Sequence, residues 1–491
     1  MRSSATARLK ASPRGATPPA FSSFRSRAGA RPPRARLGYA VAVRYVRAVG
    51  LASSLLLGLL ATPCAALANG RFPESNAIFF APEEPGTVVL RTTFGLLVSR
   101  DRGKAWDWVC EPALGLVGVE DPMLSITPDN TLIATTFQGL AVSRDRACSW
   151  AFVDGPPRGL VFIDSASRPA SPGTVVAFAS SFDGQDDAGH GVFRSTLFET
   201  RDEGRTFATL GPSLDPSLRG LTVDLTPSDP ERVYVSALRD PGPRARAFLL
   251  TSRDHGATYE EHAVALLSPE NGLYIAGVDP VEADRVYLRT SSPTDKPSRL
   301  LVTDDAGKTF RTLFTGAGAL AGFATTSDGK KIWIGGPRDG LHVASTSDYA
   351  FVRRSTAEIT CLGAAPDGLW ACSTEKSGFV LGLSADEGTT FAPKLHFCDV
   401  RGPLACPAGS STYALCTLGG GAVPATSPWP QQRVALGCES AAADAGASPG
   451  AETALRAGGG GCSLRAPAPL PLGALVAGVA AMIGLLRRRS I

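Results

Sequence analysis

Short apolar runs recur between about residues 70 and 395, and polar turn residues separate them. In the first unit the runs cover residues 77–80, 87–90, 95–98 and 106–109, and later units repeat this plan. Runs of this length that are rich in Val, Leu, Phe and Tyr and bounded by Gly, Pro or Asp predict β-strands. Four strands in each repeat of about 40–50 residues are typical of a β-propeller blade.

A second pattern, Ser/Thr-x-Asp-x-Gly-x-Thr/Ser-aromatic, follows the third run of each unit. Its Asp, Gly and aromatic positions are Asp101, Gly103 and Trp106; Asp145 and Trp150, with Ala147 in place of Gly; Asp202, Gly204 and Phe207; Asp254, Gly256 and Tyr259; Asp305, Gly307 and Phe310; and Asp386, Gly388 and Phe391. A degenerate copy lies at 345–348, with Phe351 as its aromatic residue. We expect a tight turn between two strands, in which Asp accepts backbone N–H bonds, Gly takes a positive φ and the aromatic ring enters the blade core.

These copies resemble the Asp-box (BNR, sialidase-type) repeat, and the resemblance covers about residues 70–395. It implies an all-β fold, and seven copies predict a seven-bladed β-propeller over residues 69–395. The alternative is a six-bladed ring with the degenerate unit of residues 320–355 inserted elsewhere. The seven-bladed ring is favoured because that unit keeps strand-like runs at 332–334 and 341–343.

The first 68 residues read as an export signal. Arg44 and Arg47 precede a short apolar run at 51–60, and Ala66-Leu67-Ala68 offers a small-x-small cleavage site. Residues 1–40 are longer than a usual basic flank, which favours a wrongly assigned start near Val41 or Val43 over a disordered extension.

The last 30 residues join Gly461-Cys462 to an uncharged segment and to three arginines at 487–489. The segment, residues 466–486, is long enough for a transmembrane helix, and arginines after it stay in the cytoplasm. The order of these parts resembles the C-terminal sorting tag of myxobacterial surface proteins, which implies that Cys462 is a point of processing or lipid attachment. The alternative is a plain single-pass anchor. Residues 441–461 are rich in Ala, Gly and Ser and predict a flexible linker.

Charge is distributed unevenly along the 491 residues. The net charge is +4; the eleven basic residues before residue 69 and four in the tail (Arg465 and 487–489) carry +15, so residues 69–464 carry −11. This acidic body lacks the basic footprint that nucleic-acid binding needs.

Ten cysteines are present, and eight remain after Cys64 in the signal and Cys462 in the tail are set aside. An even number in an exported chain predicts disulfides. Cys361 and Cys372 flank a Pro-Asp-Gly turn and should pair across a hairpin. We expect a second pair between Cys110 and Cys148. The remaining four, which lie in a predicted cap of residues 396–440, should form two bridges of undetermined connectivity: Cys398, Cys406, Cys416 and Cys438. A zinc site is the alternative for this cluster.

Sequence motifs for chemistry are few. The repeated Asp residues already have a turn role, so no catalytic residue is assigned and no cofactor is expected. One candidate Ca²⁺ loop lies in the third unit, at Asp183, Asp186 and Asp187, where carboxylates cluster without the full calcium-loop pattern. We therefore expect a monomeric, surface-anchored propeller that binds a polysaccharide or a surface protein without catalysis. The alternative is a glycoside hydrolase of the sialidase or xyloglucanase type, which the Asp-box resemblance allows; an assembly chaperone is a third class.

Overall fold

The computed structural model describes residues 71–438, apart from 169–170, 172, 241–244, 294 and 421–426. In this part of the chain, 28 strands form seven antiparallel four-stranded sheets, each made of consecutive strands. The first strands of neighbouring sheets contact one another in turn, and the first strand of the first sheet contacts that of the seventh. The sheets therefore form a closed ring, which confirms the seven-bladed β-propeller and excludes the six-bladed alternative.

The blades follow chain order, and the first strand of each is innermost. The first blade contains β1 (Ser75–Phe80), β2 (Val88–Thr92), β3 (Gly95–Ser99) and β4 (Asp107–Val109). The second contains β5 (Leu124–Ile126), β6 (Leu132–Thr136), β7 (Gly139–Ser143) and β8 (Ala151–Phe152). The third contains β9 (Phe162–Ser167), β10 (Val175–Gln185), β11 (Gly191–Thr200) and β12 (Ala208–Leu210). The fourth contains β13 (Leu218–Leu225), β14 (Val233–Arg239), β15 (Arg246–Ser252) and β16 (Glu260–Val264).

The remaining three blades have the same plan. The fifth contains β17 (Gly272–Val278), β18 (Val286–Ser291), β19 (Arg299–Thr303) and β20 (Arg311–Thr315). The sixth contains β21 (Gly322–Thr325), β22 (Lys331–Gly336), β23 (Gly340–Ser345) and β24 (Val352–Ser355). The seventh contains β25 (Cys361–Ala365), β26 (Gly368–Cys372), β27 (Leu381–Ser384) and β28 (Ala392–Leu395). Short 3₁₀ turns lie at Glu111–Leu114, Glu375–Ser377 and Phe397–Asp399, a π-type turn at Tyr413–Thr417, and helix α1 at Trp429–Ala435.

The middle strands of each blade hold the core. All five residues of β3 are buried, and so are those of β6 and β7. Both faces of such a strand are covered by neighbouring blades, so its sequence is a continuous apolar run rather than an alternating one. The degenerate sixth unit obeys the same rule, because Ile332, Ile334 and Leu341 are fully buried.

The described residues of the predicted cap pack against the first blade. Residues 401–404 run alongside β4 of the first blade, where the Trp108 amide donates to the Gly402 carbonyl at 2.7 Å and the Leu404 amide donates to the Trp108 carbonyl at 2.8 Å. The ring of Trp429 on α1 packs 5.2 Å from that of Trp108. These contacts cover the outer edge of the first blade, which would otherwise be an unpaired strand edge.

The disulfides correct two of the predicted pairings. Cys361 pairs with Cys372 as predicted. The prediction of a Cys110–Cys148 bridge is wrong, because Cys110 pairs with Cys416 and Cys148 pairs with Cys406. Within the predicted cap only one bridge forms, between Cys398 and Cys438. The reason is that the segment after the seventh blade crosses the outer edges of blades 1 and 2 and offers each blade a cysteine of its own.

Residues 1–70 and 439–491 lie outside the described part of the chain. The predicted signal, the linker, Cys462 and the predicted transmembrane helix all fall there. Among the residues that are described, no helix has the length and apolarity to cross a membrane.

Candidate functional site

The two ends of the ring carry different loops. Because each blade is a simple antiparallel meander, its 1–2 and 3–4 loops lie at one end, and its 2–3 loop and the connection to the next blade lie at the other. We call the second end the 2–3 face. The six well-formed copies of the repeated Asp motif are 3–4 loops, so they lie at the opposite end.

In these six turns the Asp carboxylate has the same partners. One carboxylate oxygen accepts a hydrogen bond from the Ser or Thr hydroxyl two residues earlier, at 2.7–3.0 Å, and another from the backbone N–H four residues later, at 2.7–2.9 Å. The same hydroxyl accepts the N–H of the motif Gly, which has a positive φ in all five copies that contain it. In the second blade Ala147 takes the glycine position with φ 70°.

These hydrogen bonds favour the ionised carboxylate. At Asp386, bonds from the backbone N–H and hydroxyl of Thr390 lower the pKa to about 2. At Asp305 some burial opposes the shift, but bonds from Thr309 and Thr303 still lower the pKa to about 2. Each carboxylate is thus fully used in holding its turn.

The motif's aromatic rings are less uniform than expected. Trp106 and Phe207 are buried, whereas Trp150, Tyr259, Phe310 and Phe391 are half-buried. In the degenerate sixth copy, Asp348 accepts from the Ala350 amide instead of following the common pattern.

Asp164 and Asp224 lie on innermost strands, where they tie neighbouring blades. Asp164 on β9 accepts from the Val223 amide of the next blade's inner strand at 2.9 Å and from the Ser165 amide at 2.9 Å. Burial raises the pKa of Asp164 to about 7 and that of Asp224 to about 6. Their partners are backbone amides, so their role is to join blades around the axis.

A large open cavity lies on the 2–3 face and is formed mainly by blades 3 and 4. Its volume is about 1070 Å³. One wall is the hairpin of β10 and β11, which is much longer than the other 2–3 hairpins; the other walls come from the starts of β13 and β17. The insertion that gives the third unit its long spacing builds this hairpin.

Aromatic rings line the cavity, and two of them are exposed. Phe182 is 61% exposed and packs edge-on against Phe193, with ring centroids 5.7 Å apart. Phe137, from the 2–3 turn of the second blade, is 47% exposed. Tyr274 also lines the cavity, with the Arg289 guanidinium 5.6 Å from its ring centre. An exposed aromatic group of this kind marks an interaction site.

The carboxylates of Asp183 and Asp240, beside the cavity, are both paired with arginines. Asp183 accepts two hydrogen bonds from Arg194 at 2.8 and 2.9 Å, and Asp240 accepts one from Arg246 at 2.7 Å. Arg219 lines the cavity and is exposed, and its guanidinium has no partner among the described residues. Within the described part of the chain, the cavity therefore places the unpaired guanidinium of Arg219 beside an aromatic surface.

The predicted calcium loop is organised differently. Asp186 accepts from the amides of Ala188 and His190 and faces the His190 ring at 3.2 Å, while Asp183 is held by Arg194. Asp187 is exposed and does not join them. Within the described part of the chain, no three His, Cys, Asp or Glu side chains are grouped so that they could hold a metal ion, and this includes the cysteine segment proposed for zinc.

The sequence motifs did not indicate the cavity residues. The cavity residues lie outside the repeated Asp motif and come from four different blades: Phe137, Phe182, Phe193, Arg219 and Tyr274. The one sequence feature that indicated this region was the 57-residue spacing between Asp145 and Asp202. It predicted an insertion in the third unit but not which residues of other blades lie beside it.

Comparison with known proteins yields fold similarity without sequence similarity. No family model and no curated protein matches the chain. Among solved structures, an ancestral GH74 enzyme matches with 12% identity and a TM-score of 0.50, over 66% of this chain and 46% of that one. A GH74 xyloglucanase from Xanthomonas campestris matches with 16% identity and a TM-score of 0.34, over 68% and 55%. The β-propeller domain of Cps50 (Swd1) from Myceliophteria thermophila gives 11% and 0.39, over 62% and 95%.

This chain thus spans about half the length of the two GH74 structures. At these identities the similarity concerns the fold alone. The chain is a seven-bladed β-propeller with structural neighbours among GH74-type propellers.

Proposed function

We propose that this protein is an exported, surface-anchored binding module and that the cavity on the 2–3 face is its ligand site. The observation that carries the proposal is the open cavity of about 1070 Å³ with the exposed rings of Phe182 and Phe137 at its edge. Ligand sites in proteins are concave and lined by aromatic groups with a few polar ones. A rigid ring that displays a cavity at one end is suited to binding.

Export and anchoring rest on separate support. Four disulfides are typical of a protein that folds in an oxidising compartment, in agreement with the predicted signal at 1–68. The predicted Gly-Cys, helix and arginine tail at 462–491 would hold the chain at the membrane, with the ring outside.

We also infer that the six regular Asp turns are Asp boxes. Their shared hydrogen-bond pattern supports this reading. The Asp boxes then have a structural role in their hairpins, at the end of the ring opposite the cavity. The cavity remains the candidate for the functional site.

The rival activity, glycoside hydrolysis, needs two suitably spaced carboxyl groups. Among the described residues that line the cavity, Asp240 carries the one carboxyl group, and it is paired with Arg246. The proposal of binding without catalysis therefore agrees with the polar groups seen at this site.

The test uses the full-length chain, exported from the expression host so that its disulfides form. The chain is applied to arrays of immobilised polysaccharides and of random peptides, and xyloglucan and a sialoside are assayed for hydrolysis. We expect binding that Phe182→Ala weakens about tenfold. Val352→Ala, an exposed apolar residue on the outer strand of blade 6, is the matched control and should bind as the wild type does.

Two results would overturn the proposal. One is binding to neither array, or binding that Phe182→Ala leaves unchanged. The other is release of reducing sugar or sialic acid faster than from the same substrate in buffer without protein.

A further inference from the structure

The projecting part of the blade 3 hairpin has one unpaired strand edge beside the cavity. β10 pairs with β9 only as far as Ala179, opposite Phe162, and the Ser180 amide then donates to the Val161 carbonyl at 3.0 Å. Pairing with β11 continues to Gln185, with a β-bulge between Phe182 and Gly184. Over residues 181–185 the described strands therefore give β10 a neighbour on one side only. Such an edge presents backbone N–H and C=O groups that can pair with another chain.

The other edge of the hairpin is held by the ring. The Phe193 amide donates to the Pro216 carbonyl at 2.7 Å, and the Leu214 amide donates to the Ser195 carbonyl at 2.9 Å. Strand β11 is thus fastened to the segment that leads into blade 4. Since the hairpin is fixed on that side, the free edge of β10 is already in place before a ligand arrives, which lowers the entropic cost of binding.

Residues along the free edge line the same cavity. Ser181, Phe182 and Gln185 line it, and Phe182 is largely exposed. Arg219 lines it from blade 4 and has no partner among the described residues. As far as the described residues show, the cavity thus combines an unpaired backbone edge, an apolar surface and an unpaired cation.

We propose that the cavity binds an extended peptide segment, which adds as a strand to the free edge of β10 at residues 181–185 and places an acidic side chain on Arg219. This inference rests on the proposed function and specifies its ligand. Backbone pairing gives strand addition its affinity, and side-chain pockets at alternate positions give its specificity. A polysaccharide has no peptide backbone with which to continue the sheet, so the unpaired edge favours a peptide. Arg219 favours an acidic one by charge complementarity.

The experiment begins with a phage-displayed library of random peptides selected on the wild-type full-length chain. We expect the selected peptides to contain an Asp or Glu and to alternate apolar with polar residues. A selected peptide is then synthesised with single N-methyl groups along its backbone. Strand addition predicts that N-methylation weakens binding at every second residue, because only alternate N–H groups point to the partner strand. Uniform effects, or none, would overturn the strand geometry.

The charge is tested by a double-mutant cycle. Arg219→Gln should weaken binding of the acidic peptide roughly fivefold, as expected for an exposed ion pair. It should not affect the peptide in which the acid is replaced by its amide. Arg353→Gln, an exposed arginine on β24 of blade 6, is the control and should change neither affinity. Equal loss for both peptides, or no loss for either, would remove Arg219 from the interaction.

The outcomes separate this inference from the proposed function. If the chain selects no peptide but binds a polysaccharide in a way that Phe182→Ala weakens, the cavity is a ligand site and the peptide inference fails. If neither class binds, the proposed function fails as well.

Discussion

Removal of the two disulfides that fasten the C-terminal segment to blades 1 and 2 should open the ring. All four strands of blade 7 come from one stretch of the chain, so blades 7 and 1 meet by side-by-side packing and by hydrogen bonds such as that from the Thr360 hydroxyl to the Ser75 carbonyl at 2.6 Å. The covalent link between the two ends is therefore made by Cys110–Cys416 and Cys148–Cys406. We consider Cys→Ala replacement of each pair and of both.

The expected losses follow from the loops that each bridge closes. The bridges span 306 and 258 residues. When one bridge remains, the other closes only the 48-residue difference between those spans, which corresponds to about 4 kcal/mol of lost chain entropy in the unfolded state. The last bridge closes the whole span, worth about 6 kcal/mol. The double variant should therefore lose about 10 kcal/mol, more than the two single variants together.

The assay is urea unfolding of the oxidised full-length chain, followed by tryptophan fluorescence. A loss of about 10 kcal/mol equals the whole stability of an ordinary domain, so the double variant should be unfolded without urea, while each single variant keeps a transition at lower urea. The control is the Cys361–Cys372 pair, which closes 11 residues inside one hairpin and should cost about 3 kcal/mol. A double variant no less stable than this control would refute the idea that these two bridges stabilise the closed ring.

Three further predictions concern single residues, each measured as the urea midpoint. Gly388→Ala should lower the free energy of unfolding by about 3 kcal/mol, because φ is +92° and the new Cβ would lie 2.1 Å from Leu341 Cδ2. The control Gly118→Ala, also at positive φ but with no atom within 4 Å, should lower it by about 1 kcal/mol. Equal losses would contradict the packing argument. The pKa of Asp386 is lowered to about 2 from 3.8, so its contribution to stability is present above pH 3.8 and is lost as the pH falls towards 2. Asp386→Asn should therefore make stability depend less on pH between 3.8 and 2. An unchanged pH dependence in this window would exclude Asp386 as its source. Burial raises the pKa of Asp164 to about 7, so stability falls as the pH rises from about 4 through 7. Asp164→Asn should remove this fall in stability. If the fall persists in the variant, it belongs to another group.

Local patterns carry most of the fold. Strand runs of four or five apolar residues appear in the sequence because a blade's middle strands are covered on both faces. The Asp turns are equally local in their carboxylate contacts, since the bonds that each Asp side chain accepts come from residues within four positions of it. Cys361 and Cys372 could be paired because a hairpin turn lies midway between them. Each of these features needs only the chain on either side of it.

The disulfide partners of blades 1 and 2 could not be obtained in this way. Cys110 and Cys148 appeared suited to each other by proximity in sequence, yet the ring brings a segment from some 300 residues later across both blades. No residue near Cys110 in sequence indicates that this distant segment will lie beside it.

The sequence by itself determined that this chain would form seven similar four-stranded units, because strand periodicity and turn chemistry act over a few residues. Tertiary structure alone decided where the ring is closed and which groups share the cavity on the 2–3 face. Phe137, Phe182, Arg219 and Tyr274 lie on four separate blades, and only closure of the blades around one axis brings them together.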